Sequence, residues 1–150
     1  MGTRAITHVQ GSDGEVYVPL YRQFDGYPSG GHGQELAEWL EGAIVGNGIS
    51  GGETRHFFNG VGDLAARLVT FFKEDASEIG GFYLVQPGSN DWGPDYIYTV
   101  KVVGGKGFDE EGTVSINITN GYSGDMVFEG SPEDVSTWIL SGADEGDDDE

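Results

Sequence analysis

YIYTVKVVGGKGFDEEGTVSINIT, residues 96–119, sets two runs of β-branched and aromatic residues around a glycine-rich, acidic break. Residues 96–103 and 113–119 are the strongest strand signals in the chain, since such side chains suit a pleated, half-buried surface. The next stretch, NGYSGD at 120–125, joins the second run to MVFEG at 126–130 and reads as a hairpin. SPEDVSTWIL at 131–140 opens a helix, with Ser131 as N-cap, Pro132 at the first helical position, and Glu133 and Asp134 set against the helix dipole. Val135, Trp138 and Ile139 would pack that helix onto the sheet. Ala143 is the only apolar residue after Gly142, so residues 142–150 read as a disordered acidic tail.

Upstream, GFYLVQP at 81–87 reads as a strand and GSNDWGPD at 88–95 as a loop. Val61, Leu64, Ala65, Leu68, Val69 and Phe72 make one apolar stripe, with Asn59 placed to cap the helix. Leu36, Trp39, Leu40, Ala43 and Ile44 fall at helical spacing, and this pattern predicts a helix reaching Gly46. A glycine-rich connection covers residues 46–60. At the start, residues 4–10 and 16–24 read as antiparallel strands around the turn GSDGE. Pro19 cannot donate to a ladder, so the second strand lies at an edge or carries a bulge. The order ββααββββα predicts an α+β fold in a single domain, residues 1–141. Its sheet is expected to be antiparallel, of about six strands, with two to three helices.

The 150 residues hold no cysteine, which removes disulfides, zinc–thiolate sites and cysteine nucleophiles together. No apolar run approaches the roughly 20 residues that span a bilayer, and MGTRAITHVQ lacks the regions of a signal peptide. A cytoplasmic protein without a membrane segment is therefore expected. The charge is −19, from 26 acids against 7 bases, and six acids fall in the last seven residues. Such a field repels phosphate backbones, so direct nucleic-acid binding is not expected. It attracts a basic protein surface, including one that binds DNA, and it also serves plain solubility.

QFDGYPSGGHGQE, residues 23–35, packs Gly26, Gly30, Gly31 and Gly33 between a strand and a helix. Asp25-Gly26 favours a turn, Tyr27 before Pro28 is held extended, and Ser29 could cap the helix. Backbone amides at Gly30, Gly31 and Gly33 near a helix start welcome an anion, and Arg4 and Arg22 could add charge. Arg4, Arg22, Asp25, Tyr27, Ser29, Gly30, Gly31 and His32 thus form the candidate site for a small anionic ligand. The same residues could serve turnover, with the arginines neutralising a substrate and Asp25 or His32 moving protons. The competing reading is a structural corner in which Asp25 accepts a hydrogen bond from Arg4. The loop has neither GxxxxGK[ST] nor GxGxxG spacing, and Ser29 has no GxSxG elbow.

His8, His32 and His56 show no HxH, HxxxH or HExxH spacing, so no metal or cofactor is expected. Asn90, Asp91 and Asp95 resemble calcium loops in composition only, and a surface turn is the simpler reading.

MGTRAI, the early strand pair and FDGYPSG resemble a family of small phage and bacterial proteins. These open Met-Ser/Gly-Thr-Arg and carry a Trp/Phe-Asp-Gly-Tyr-Pro-Ser-Gly segment. The resemblance covers roughly residues 1–45, with a weaker echo in VFEGSPEDVSTWI. It implies phage or bacterial origin and attaches no reaction. Taken together, the expectation is a non-enzymatic accessory protein that binds a basic host protein, with anionic-ligand capture or turnover at the glycine loop as the alternative.

Overall fold

The computed structural model describes residues 3–46, 57–74, 81–86, 93–104 and 110–142. Eight strands and three helices follow in the order β1 (Ala5–Gln10), β2 (Val16–Arg22), α1 (His32–Leu40), β3 (Ile44–Gly46), β4 (Phe57–Asn59), α2 (Gly60–Glu74), β5 (Phe82–Leu84), β6 (Tyr96–Gly104), β7 (Gly112–Asn120), β8 (Met126–Gly130) and α3 (Pro132–Leu140). The strands join in the order β4-β3-β7-β6-β1-β2-β5, with β8 also paired to β7.

The fold is α+β, but the sheet is mixed and larger than the six antiparallel strands expected. β1 runs parallel to β6, and β3 runs parallel to β4. Alternation in a strand reports which face is buried and is silent about the neighbour's direction. β1 pairs β2 in a hairpin on one side and accepts β6 on the other, after α1 and α2 have been traversed. The two strands missing from the sequence reading, β3 and β4, have three residues each and carry no readable period. Ile44, assigned by spacing to the first helix, belongs to β3 instead. The helix stops at Leu40, where Glu41 is extended and Gly42 takes a left-handed φ of 77°.

Residues facing one way along the central strands make a single core. Ala5, Val9, Leu20, Tyr98, Val100, Ile116 and Ile118 pack against Leu36 and Leu40 of α1, Leu64 and Leu68 of α2, and Val135 and Ile139 of α3. Pro19 lies in a bulge: Thr7 pairs with Leu20 but Val9 pairs with Tyr17, so β2 holds the extra residue. β2 is an interior strand, closed by β5, and the carbonyl of Pro19 accepts a hydrogen bond from the Val85 amide at 3.0 Å. The cap expected on α3 is present as a full capping box between Ser131 and Asp134. No helix among the described residues is long and apolar enough to cross a membrane.

Candidate functional site

The glycine loop folds back onto the start of α1 and uses the donors that an anion would need. The amide of His32 donates to the Asp25 carbonyl at 2.8 Å, Gly33 to Tyr27 at 3.4 Å and Gln34 to Pro28 at 2.8 Å. Glu35 then begins the helical ladder by donating to Gly31 at 3.0 Å. Three of the four N–H groups that a helix start leaves open, those of His32, Gly33 and Gln34, are thereby bonded within the chain. Gly31, rather than Ser29, is the N-cap, and it supplies no side-chain cap. The Gly30 amide donates to Gln34 Oε1 at 2.9 Å.

This folding-back explains the glycines. A Cβ on Gly31 would lie 2.5 Å from the Asp25 carbonyl oxygen, and one on Gly33 would lie 2.7 Å from Pro28 Cα. Gly30 instead has open space around it and needs glycine for its φ of 75°. The turn residue with positive φ at the loop entrance is Asp25, at 63°, and its carboxylate accepts from the Tyr27 hydroxyl at 2.9 Å. Gly26 is required by contact, since a Cβ there would meet Ala5 and Arg4 at 2.9 Å.

Arg4 and Arg22 do not converge. Arg22 pairs with Ala5 and shares its face, toward α1, whereas the preceding residue, Arg4, alternates to the other face. There the Arg4 guanidinium lies beside the hydroxyls of Tyr21 and Tyr122. The Arg4 amide donates to Asp95 Oδ2 at 2.8 Å, so the carboxylate tied to Arg4 is Asp95 and not Asp25. The Tyr122 hydroxyl donates to the same carboxylate at 2.7 Å, which pushes its pKa above the ordinary 10.0.

Arg22 is committed beneath the loop. Its Nε donates to the Phe24 carbonyl at 2.6 Å, and its Nη1 donates to Glu35 Oε1 at 2.8 Å and to His32 Nδ1 at 3.2 Å. The guanidinium also stands 5.0 Å from the Phe82 ring centre. His32 is wholly buried, stacked on Phe72 and edge-on to Tyr98. Its Nε2 is 2.6 Å from Thr7 Oγ1.

A guanidinium has donors only, so Nδ1 of His32 must accept and Nε2 carries the proton. That proton points at the Thr7 hydroxyl, the reverse of what a base activating a nucleophile requires. Burial, and then the charge of Arg22, lowers the His32 pKa to about 3. His32 is thus a neutral core residue, and Thr7 with Glu35 completes its chain. Sequence reading missed Thr7, whose signal was a polar residue on the strand face that also carries Ala5 and Val9.

His8 lies half-buried on β1, with its pKa lowered by burial. His56, Asn90 and Asp91 lie outside the described residues, as do residues 143–150 of the acidic tail. Among the described residues no three histidine or carboxylate side chains are grouped to hold a metal. No protein-family model, curated protein or solved structure matches the chain.

A second feature lies at the junction of α1 and α3. Glu35, Glu38 and Glu41 follow along α1 and just past it, Glu133 and Asp134 open α3, and neither helix carries a lysine or arginine. The two helices are tied by the Gly42 amide donating to Glu133 Oε2 at 3.0 Å and the Ser136 hydroxyl donating to Glu41 Oε2 at 3.1 Å. The cations Arg67, Lys73 and Lys101 lie elsewhere and are themselves engaged. Arg67 donates to the Phe57 carbonyl, Lys73 to the Phe82 carbonyl and Lys101 to Glu129.

Proposed function

We propose that this protein acts by binding a basic protein surface through the face formed by α1 and α3. The observation that carries the reading is the charge of that face, which presents Glu35, Glu38, Glu41, Glu133 and Asp134 with Arg22, alone among the described cations, approaching from beneath. The six acids of residues 144–150 come after α3 in sequence and add to the same sign of field. Paired helices bearing carboxylates offer a charge pattern that repels nucleic acid and attracts a protein that binds it. An accessory role, occupying the nucleic-acid site of a host protein, is consistent with that chemistry and with the phage or bacterial resemblance. Capture or turnover of a small anion at the glycine loop has less support, because the amides of Gly30, His32, Gly33 and Gln34 and the Arg22 guanidinium already have partners within the chain.

The test is affinity capture from bacterial lysate with elution by rising salt. The expected result is a stoichiometric basic protein, released by salt and freed from its DNA, whose capture is lost on Glu38→Lys. Capture indifferent to both salt and Glu38→Lys would refute the reading.

A further inference from the structure

The outer edge of β7 is divided between two partners. Gly112 pairs with Val45 of β3, and residues 116–119 pair with β8. Residues 113–115 between them pair with β6 on the inner side, and no described strand takes their outer side. A cavity of about 280 Å³ opens at this gap. Leu40, Ala43, Ile44, Val114 and Pro132 supply its apolar wall, and Glu133 stands at its rim.

We infer that this cavity is the anchor point of the basic partner, taking one arginine side chain whose stem lies on the apolar wall and whose guanidinium meets Glu133. The inference rests on the acidic-face reading and gives it an address. At about 280 Å³ the cavity sits at the small end of ligand pockets, about 300–1,000 Å³, and has room for one long side chain. The charge argues for arginine: Glu41, Glu133 and Asp134 gather around the α1–α3 junction, and no described cation lies on either helix. A planar guanidinium can meet a carboxylate with paired hydrogen bonds, and an alkyl stem can cover apolar surface while its head stays polar. An anchor in a pocket ringed by weaker charged contacts is also how binding energy concentrates in protein interfaces.

The probe is an acetylated octapeptide of alternating arginine and glycine, titrated into the full-length, nitrogen-labelled protein at low and high salt. Amide shifts are expected at Gly42, Ala43, Ile44, Val114 and Glu133, with Ala43→Leu, which adds bulk to the cavity's apolar wall, weakening binding about tenfold or more. Glu133→Gln, which keeps an acceptor for the Gly42 amide, is expected to weaken binding without loss of fold, and it serves if Ala43→Leu does not fold. Asp13→Asn, the same loss of charge at the β1–β2 turn, should change affinity only slightly. Salt-sensitive binding that falls on Glu38→Lys but survives both Ala43→Leu and Glu133→Gln would overturn the cavity and leave the acidic face standing. Absence of salt-sensitive binding would overturn both.

Discussion

Replacing His32 by glutamine should flatten the dependence of stability on pH. The imidazole is neutral in the fold, with its pKa lowered from the ordinary 6.5 to about 3 by burial and by Arg22. The unfolded chain therefore takes up a proton that the native chain refuses. This stabilising contribution is complete above pH ~6.5 and is lost as pH falls toward ~3. From the two values, the loss between pH 7.5 and 5.5 is about 1 kcal/mol, and by pH 3 it reaches about 4 kcal/mol. That larger figure is comparable with the whole stability of a domain, about 5–15 kcal/mol. His8, lowered in the same direction, would add to the slope, so the comparison is best made in a His8→Gln background. Urea unfolding followed by tryptophan fluorescence at pH 7.5, 6.5 and 5.5 gives the two profiles. The variant begins less stable, having lost a buried hydrogen-bonded ring, but should lose about 1 kcal/mol less on going to pH 5.5. Parallel profiles would refute the reasoning, as would a His32 ring resonance that titrates near pH 6 in the native protein.

The corner makes further predictions. Arg22→Met removes the donors to Phe24 and His32 and should destabilise by about 2–3 kcal/mol, whereas Glu35→Gln, half-exposed, should cost under about 1 kcal/mol in the same unfolding assay. Arg22→Met should also raise the His32 pKa, because one of its two depressing influences is gone; ring-proton shifts against pH would record it. Gly30→Ala should cost about 1–2 kcal/mol from its left-handed φ alone, while Gly31→Ala should cost more, because its Cβ meets a carbonyl that cannot withdraw. Equal costs in denaturant titrations would refute the folded-back loop. Ser131→Ala should cost about 1 kcal/mol through loss of the α3 cap, visible as a lower midpoint of thermal unfolding.

Local chemistry made several features readable before any coordinates. The apolar stripe of α2, the cap of α3 and the long strands β6 and β7 each depend on neighbours within a few residues. Pro19 similarly announced an edge or a bulge, because a missing donor is a property of the residue itself, and of the two it is the bulge that forms. The site was less legible. Arg22, Asp25 and His32 stood out as polar residues around glycines, but whether they were free or already bonded depends on partners far along the chain. Thr7 reaches His32 across 25 residues, and Arg4 reaches Asp95 across 91.

The elements with strong internal signals, the α+β class and the acidic charge follow from local order and composition. That β1 and β6 run parallel emerges only on folding, since strand alternation is the same in either direction. Tertiary structure alone placed Arg4 and Arg22 on opposite faces, because a pairing register fixes which side each residue takes. It alone turned the helix-start amides inward, because their acceptors are carbonyls whose position depends on how the whole loop closes.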